Sequence, residues 1–192
     1  LGGHASSAAL SHRFDDNWRA GLHVQHVDSS VEAGRFSAWS GALTYTSTLP
    51  GVRLRAQALS DSRARRGHWL EGEWRDGLHA SRWSLWQFDP GLYWYATLLS
   101  SGQRGLAWRH DFSDPARFWG LGVERARNAA FDALRAPTDA TYVSGNAGFR
   151  IDRHVSVGVI GQWRATVPAY DDGLSQSQRY LSLSAYALRS RS

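Results

Sequence analysis

Residues 155–166 decide the fold, and they read Val-Ser-Val-Gly-Val-Ile-Gly-Gln-Trp-Arg-Ala-Thr. Apolar side chains recur at every second place: Val155, Val157, Val159, Trp163 and Ala165, with Ser156, Gly158, Gln162 and Arg164 between them. Successive side chains of a strand point to opposite faces, so the segment predicts a strand with one apolar and one polar face. Residues 52–59 repeat the pattern, and their polar face carries Arg53 and Arg55.

The same unit recurs along the whole chain. We predict eleven strands, at residues 4–14, 18–27, 36–48, 52–59, 68–75, 79–88, 104–112, 118–127, 141–151, 155–166 and 179–190. Short connections (15–17, 49–51, 76–78, 113–117, 152–154) alternate without a break with long ones (28–35, 60–67, 89–103, 128–140, 167–178). Apolar alternation alone fits a soluble sandwich as well as a membrane barrel. Tight turns on one rim and long loops on the other are typical of the membrane barrel.

The composition agrees with strands in which apolar residues alternate with polar ones and so form no long apolar run. Although 42% of the residues are hydrophobic, no apolar run approaches the roughly 20 residues that a membrane helix needs. The chain has 10 Trp and 7 Tyr, and aromatic girdles at both rims are a feature of membrane barrels. The aromatics near predicted strand ends are Trp18, Trp39, Trp69, Trp74, Trp108, Trp119, Tyr142 and Tyr180.

This pattern resembles a bacterial outer-membrane β-barrel, in the general style of exopolysaccharide secretion porins and fimbrial ushers. The resemblance is one of architecture, and it carries over no functional residue. It implies an all-β fold, an antiparallel transmembrane β-barrel with short periplasmic turns and long outer loops, located in the bacterial outer membrane. Complete single-chain bacterial barrels have even strand numbers, so we expect at least twelve strands in the whole. Residues 1–192 would then be a single domain, the C-terminal part of a larger barrel or protein.

The charges suggest what one face of the strands does. All 22 basic residues are Arg, against 17 acids. They are spread over many strands, which argues against a nucleic-acid-binding patch. An excess of guanidinium groups in a lumen favours anions, whereas cross-strand ion pairs would only brace the wall. Alternation places these residues on the lumen side, with Asp111 as a further acid: Arg19, Arg53, Arg55, Arg75, Arg109, Arg150, Arg164, Glu71, Glu73 and Glu124.

Residues 92–99 look like one more strand, but counting them would put three short connections in a row. We therefore assign them to a long outer loop. Long loops in water have no reason to carry such large apolar side chains, so we expect them to be buried as a constriction, an outer hairpin or a subunit contact. The residues concerned are Leu92, Tyr93, Trp94 and Tyr95, with Leu98 and Leu99.

Catalytic signals are few. His23 and His26 are three apart in a strand and lie on opposite faces, so they cannot share a metal. We predict no catalytic residue, no metal and no cofactor, and the sequence favours a protein that is not an enzyme.

The sequence thus favours a pore or translocation scaffold for anionic or polysaccharide substrates. Its partners would be outer-membrane lipid and the chains or upstream segments that complete the barrel. One alternative is a barrel without throughput, acting as a lipid-modifying enzyme or a surface receptor. Another is a soluble β-sandwich binding module.

Overall fold

The fold is one large antiparallel sheet. The computed structural model describes residues 4–29, 34–47, 51–94, 97–98, 102–128, 138–168 and 177–189. In these residues it has the strands β1 (His4–Arg13), β2 (Trp18–Ser29), β3 (Gly34–Ser47), β4 (Gly51–Asp61), β5 (Arg66–Asp76), β6 (His79–Phe88), β7 (Tyr93–Trp94), β8 (Thr97–Leu98), β9 (Gln103–Ser113), β10 (Arg117–Asn128), β11 (Thr138–Arg150), β12 (Val155–Pro168) and β13 (Gln178–Arg189). No helix in the described part of the chain is long and apolar enough to cross a membrane.

Eleven of these strands form a meander in which each strand pairs with the next, in the order β1 to β6 and then β9 to β13. They are the eleven strands predicted from alternation, and no strand end differs from its prediction by more than three residues. Strands β7 and β8 form a separate two-stranded hairpin. The placement of this segment outside the main sheet is therefore confirmed for its described residues, 92–94 and 97–98.

The all-β, antiparallel fold expected from the sequence is confirmed, but the sheet is not closed into a barrel. Closure by at least one further strand remains a prediction. Strands β1 and β13 are its two edges. Because every neighbouring pair is antiparallel, the first and the eleventh strand of the meander run in the same direction. The two edges could meet only as a parallel pair, which an antiparallel meander does not provide.

Two predicted long loops are wrong in length. Strands β4 and β5 are joined by residues 62–65, and β2 and β3 by residues 30–33. Between β4 and β5 the pairing continues to Ser60 and Arg66, and the Asp61 carboxylate then accepts the backbone N–H groups of Arg63 (2.9 Å) and Arg65 (3.1 Å). A side chain that turns the backbone in this way lets the strands extend into a stretch that composition alone assigns to a loop.

Three of the tight turns are stabilised in the same way, by an aspartate side chain. The carboxylate of Asp15, Asp114 or Asp152 accepts two backbone N–H groups, from residues two and three positions further on, at 2.6–2.8 Å. At Asp114, hydrogen bonds from Arg117 also hold the pKa of the carboxyl below its ordinary value. We call this end of the sheet the turn end, and the opposite end the loop end.

The two faces of the sheet differ sharply. Residues paired across antiparallel strands share a face, so the register assigns every strand position to one of two sets. One set, the apolar face, includes Leu22, Leu54, Leu70, Leu85, Leu106, Leu121, Val159 and Leu183. Their exposed fractions range from 39% for Leu70 to 77% for Leu183. A soluble sandwich would bury this face, yet no second sheet covers it in the described residues.

The opposite set, the polar face, holds the sequence-predicted arginines. It also holds the buried strand residues other than glycine, all near the loop end: Gln25, Ala38, Ser40, Leu59 and Asp61.

The aromatic residues divide between the faces. At the turn end of the apolar face, Trp18 lies 4.9 Å from Tyr45 and Phe112 lies 6.0 Å from Trp119, measured between ring centroids. The predicted girdle residues Trp69, Tyr142 and Tyr180 lie on the polar face instead. The girdle interpretation therefore fails for these three residues.

Candidate functional site

All ten residues predicted to line a lumen lie on the polar face. Three unbroken rows of cross-strand partners establish this. Arg19, Thr44, Arg55, Glu71 and Ser84 form the first row. Arg53, Glu73, Arg82, Arg109, Gly122, Ser144 and Gln162 form the second. Glu124, Tyr142 and Arg164 form the third, while Arg75 and Arg150 lie two positions from members of the same face on β5 and β11. That this face lines a lumen remains a prediction.

Ion pairs brace one group of these arginines. Arg109 makes a two-pronged contact with Asp111, with Nε to Oδ2 at 2.9 Å and Nη2 to Oδ1 at 2.6 Å, and its Nη2 also donates to Asn146 Oδ1 at 3.2 Å. The cluster needs Gly120 beside it, because a Cβ there would lie 2.4 Å from Asp111 Oδ1. Further pairs are Arg55 with Glu71 at 3.8 Å, Arg75 with Glu73 at 2.9 Å and Arg82 with Asp111 at 3.8 Å.

A second group of arginines has no such partner. Within the part of the chain that the structure describes, Arg19, Arg53 and Arg164 form no ion pair. Arg19 and Arg53 line a cleft of about 430 Å³ at the turn end, and Arg13, Thr44, Thr46 and the acids Asp15 and Asp16 are also part of its lining. The polar face thus combines braced arginines with guanidinium groups that are free to meet a solute.

Arg82 is a member of this face that the sequence analysis missed. It lies opposite both Glu73 and Arg109. The sequence does indicate its position, because Arg82 and Ser84 alternate with Trp83 and Leu85 along β6.

The loop after β6 folds onto the polar face at the loop end. Leu92 is fully buried, and it meets Phe88 and Leu59 above Gly67, where a Cβ would lie 2.8 Å from Leu92 Cδ2 and 2.7 Å from Phe88 Cδ1. The loop is held because Arg66 N–H donates to Asp89 Oδ2 at 2.7 Å, and Arg65 Nη1 donates to the Gly91 carbonyl. The burial predicted for this loop is thus seen at Leu92.

The other predicted contact residues are less completely described. Tyr93 and Trp94 form β7, which pairs with Thr97 and Leu98. Tyr95 and Leu99 lie outside the described residues.

A polar cluster interrupts the apolar face near the turn end. Ser81 Oγ lies 2.6 Å from His110 Nδ1, and His110 Nε2 lies 3.2 Å from His79 Nδ1. The rings of Phe112 and Trp119 lie 5.0 and 5.3 Å from those of His79 and His110, respectively. Sequence spacing could not reveal the cluster, because the long connection between β6 and β9 hides which of their residues pair.

The sequence matches no protein-family model and no curated protein. Two solved structures are similar over 97% of this chain. One comes from a study of the in-meso crystallization of membrane proteins, with 11% identity, 77% of that chain covered and a TM-score of 0.35. The other is a bacterial polysaccharide outer membrane secretin, with 13% identity, 70% of that chain covered and a TM-score of 0.39. Similarity at this level says nothing about function.

Proposed function

We propose that the sheet is the wall of an outer-membrane β-barrel that serves as a pore or translocation scaffold for anionic or polysaccharide substrates. The observation that carries the proposal is the separation of the faces, which extends along the meander from β2 to β13. Side chains such as Leu85 and Leu183, 47% and 77% exposed, belong to a face that runs the width of the sheet. An apolar surface of this extent is unfavourable in water and marks a contact with lipid or protein.

The polar face supports the proposal that the substrates are anionic. It presents Arg19, Arg53 and Arg164 without ion-pair partners in the described residues. A guanidinium group keeps its charge and presents a planar fork of donors that fits carboxylate and phosphate groups. A water-filled path along this face would therefore favour anions over cations.

The open edges require one more element. A strand that runs antiparallel to both β1 and β13 could pair with each of them and make the strand number even. We infer that such a strand, from elsewhere in the parent protein or from another chain, closes the barrel, because an unclosed edge leaves backbone groups without partners in lipid.

Two neighbouring substitutions on β6 test the membrane assignment. Leu85 lies on the apolar face and Ser84 on the polar face. Leu85→Arg should lower the free energy of folding into bilayers by about 2–4 kcal/mol, whereas Ser84→Arg should avoid this lipid penalty. Folding titrations in phosphatidylcholine vesicles measure both, and equal effects at the two positions would refute a lipid-facing apolar face.

The cluster of Ser81, His110 and His79 favours a second candidate function, ester hydrolysis at the membrane surface. A serine hydroxyl within hydrogen-bond reach of an imidazole that a third group orients is the arrangement of an activated nucleophile. It ranks second because such chemistry needs donors for the developing oxyanion, and the backbone N–H groups of these paired strands are engaged in the sheet. A fluorophosphonate probe should label Ser81 and spare a His110→Ala variant if the candidate is correct, and an unlabelled wild-type chain would exclude it.

A further inference from the structure

Basic side chains gather on the apolar face at its loop end. Across β5, β6, β9, β10 and β11 the register brings five polar residues into one row, and Arg125 lies one position below it on β10. The row consists of His68, Gln87, Arg104, Arg127 and Asp139. Directly below it, Leu70, Leu85 and Leu106 form an apolar row.

The charge of this cluster is mostly uncompensated. Arg127 Nε lies 3.5 Å from Asp139 Oδ1. Arg104 and Arg125 are exposed, and neither forms an ion pair within the residues described here. Two free guanidinium groups therefore face the same side of the sheet as the exposed leucines.

A cleft of about 840 Å³ joins the two rows. Leu70, Leu85 and Leu106 line it together with Arg104, Arg125 and Arg127. The small residues Gly41, Ala56 and Ala58 border it on the side of β3 and β4, where larger side chains would fill the depression. The cleft is thus apolar along the strands and cationic at the loop end.

We propose that this arginine cleft binds a membrane lipid with an anionic phosphate headgroup. The acyl chains lie along Leu70, Leu85 and Leu106, and the phosphate lies between Arg104 and Arg125. Guanidinium groups match phosphate oxygens in geometry and charge, and a ligand that is both apolar and anionic fits the cleft better than free phosphate. The inference rests on the proposed function, since it needs the apolar face to lie against a bilayer.

The test compares two double variants with the same change of charge. Arg104→Gln with Arg125→Gln removes the two free guanidinium groups of the cleft, and Arg153→Gln with Arg189→Gln removes two exposed ones at the turn end. Native mass spectrometry of the chain in a non-ionic detergent measures the binding of phosphatidic acid and of phosphatidylcholine with the same acyl chains. Each arginine near an anionic lipid contributes about a fivefold change in affinity, so the cleft variant should lose about 25-fold for phosphatidic acid and the control should stay within about twofold of wild type.

Three outcomes overturn the inference: equal losses in both variants, no preference of the wild type for phosphatidic acid, or displacement of the lipid by millimolar inorganic phosphate. Insertion of the wild-type chain into phosphatidylcholine vesicles, measured by protection from protease, tests the proposed membrane wall separately from the arginine cleft. A chain that inserts but has no headgroup preference contradicts the arginine cleft alone. A chain that does not insert refutes both the cleft and the proposed membrane wall.

Discussion

At the scale of single residues, Arg53 and Arg55 show what alternation can and cannot predict. Both lie on the polar face of β4, as their spacing predicts, and each is opposite a glutamate, Glu73 and Glu71. Only Arg55 pairs with its partner, because Glu73 binds Arg75 on its own strand. The face of the sheet on which a side chain lies can be predicted from the sequence of its own strand. Whether such an arginine forms an ion pair or stays free depends on the cross-strand register and on competing partners within its own strand. Neither can be predicted from the sequence alone.

This difference predicts two kinds of arginine variant. Replacing Arg19, Arg53 and Arg164 together by Gln should reduce anion preference and leave the unfolding free energy nearly unchanged, because no ion pair is lost. Replacing Arg55, Arg75 and Arg109 by Gln should destabilise the sheet, by up to about 1 kcal/mol per exposed pair lost. The reversal potential under a salt gradient reports the first effect, and urea titration in vesicles reports the second. If the first variant loses as much stability as the second, its arginines brace the wall.

At the scale of strands and loops, the positions of the strands follow from the sequence, but the lengths of two connections do not. Periodicity marks where side chains alternate, whereas the end of a strand depends on whether a turn can be stabilised. Asp61 provides that turn through its side chain, and no average property of residues 60–67 reveals it. The loop after β6 is similar, since its apolar composition predicts burial but not which surface Leu92 contacts.

The packing of Leu92 gives a prediction for that loop. Leu92→Ala removes a fully buried side chain and should lower the unfolding free energy by about 2–5 kcal/mol. Because Leu92 packs on the polar face, the variant should also raise single-channel conductance if that face lines the path. Planar bilayer recordings and folding titrations separate the two effects. Lower stability with unchanged conductance would show that the loop packs on the wall without narrowing the path, and no change in either would contradict its burial.

At the scale of the whole molecule, the sheet has two long unpaired edges. In the described residues every position of β1 is exposed, and β13 pairs with β12 alone. The backbone groups on the outer side of each edge strand therefore lack partners within the meander.

Hydrogen exchange should reveal these edges directly. In detergent micelles, the amides of β1 and β13 should exchange faster than those of β10, which is paired on both sides by β9 and β11, because edge strands open without disrupting their neighbours. Mass spectrometry of peptides from exchanged protein gives the comparison. Protection of β13 equal to that of β10 would mean that its edge is already covered.

The parallel direction of β1 and β13 also limits the symmetry of any assembly that contains this sheet. Two copies with the same orientation in a membrane are related by a rotation about the membrane normal, and such a rotation leaves the direction of every strand unchanged. The β1 edge of one copy would then meet the β13 edge of the next as a parallel pair, so a ring of identical sheets cannot continue the antiparallel pattern. A two-fold axis in the membrane plane restores antiparallel pairing only by turning one copy upside down. If the sheet is part of a closed wall, the element that completes it must therefore present a strand of the opposite direction to each of these two edges.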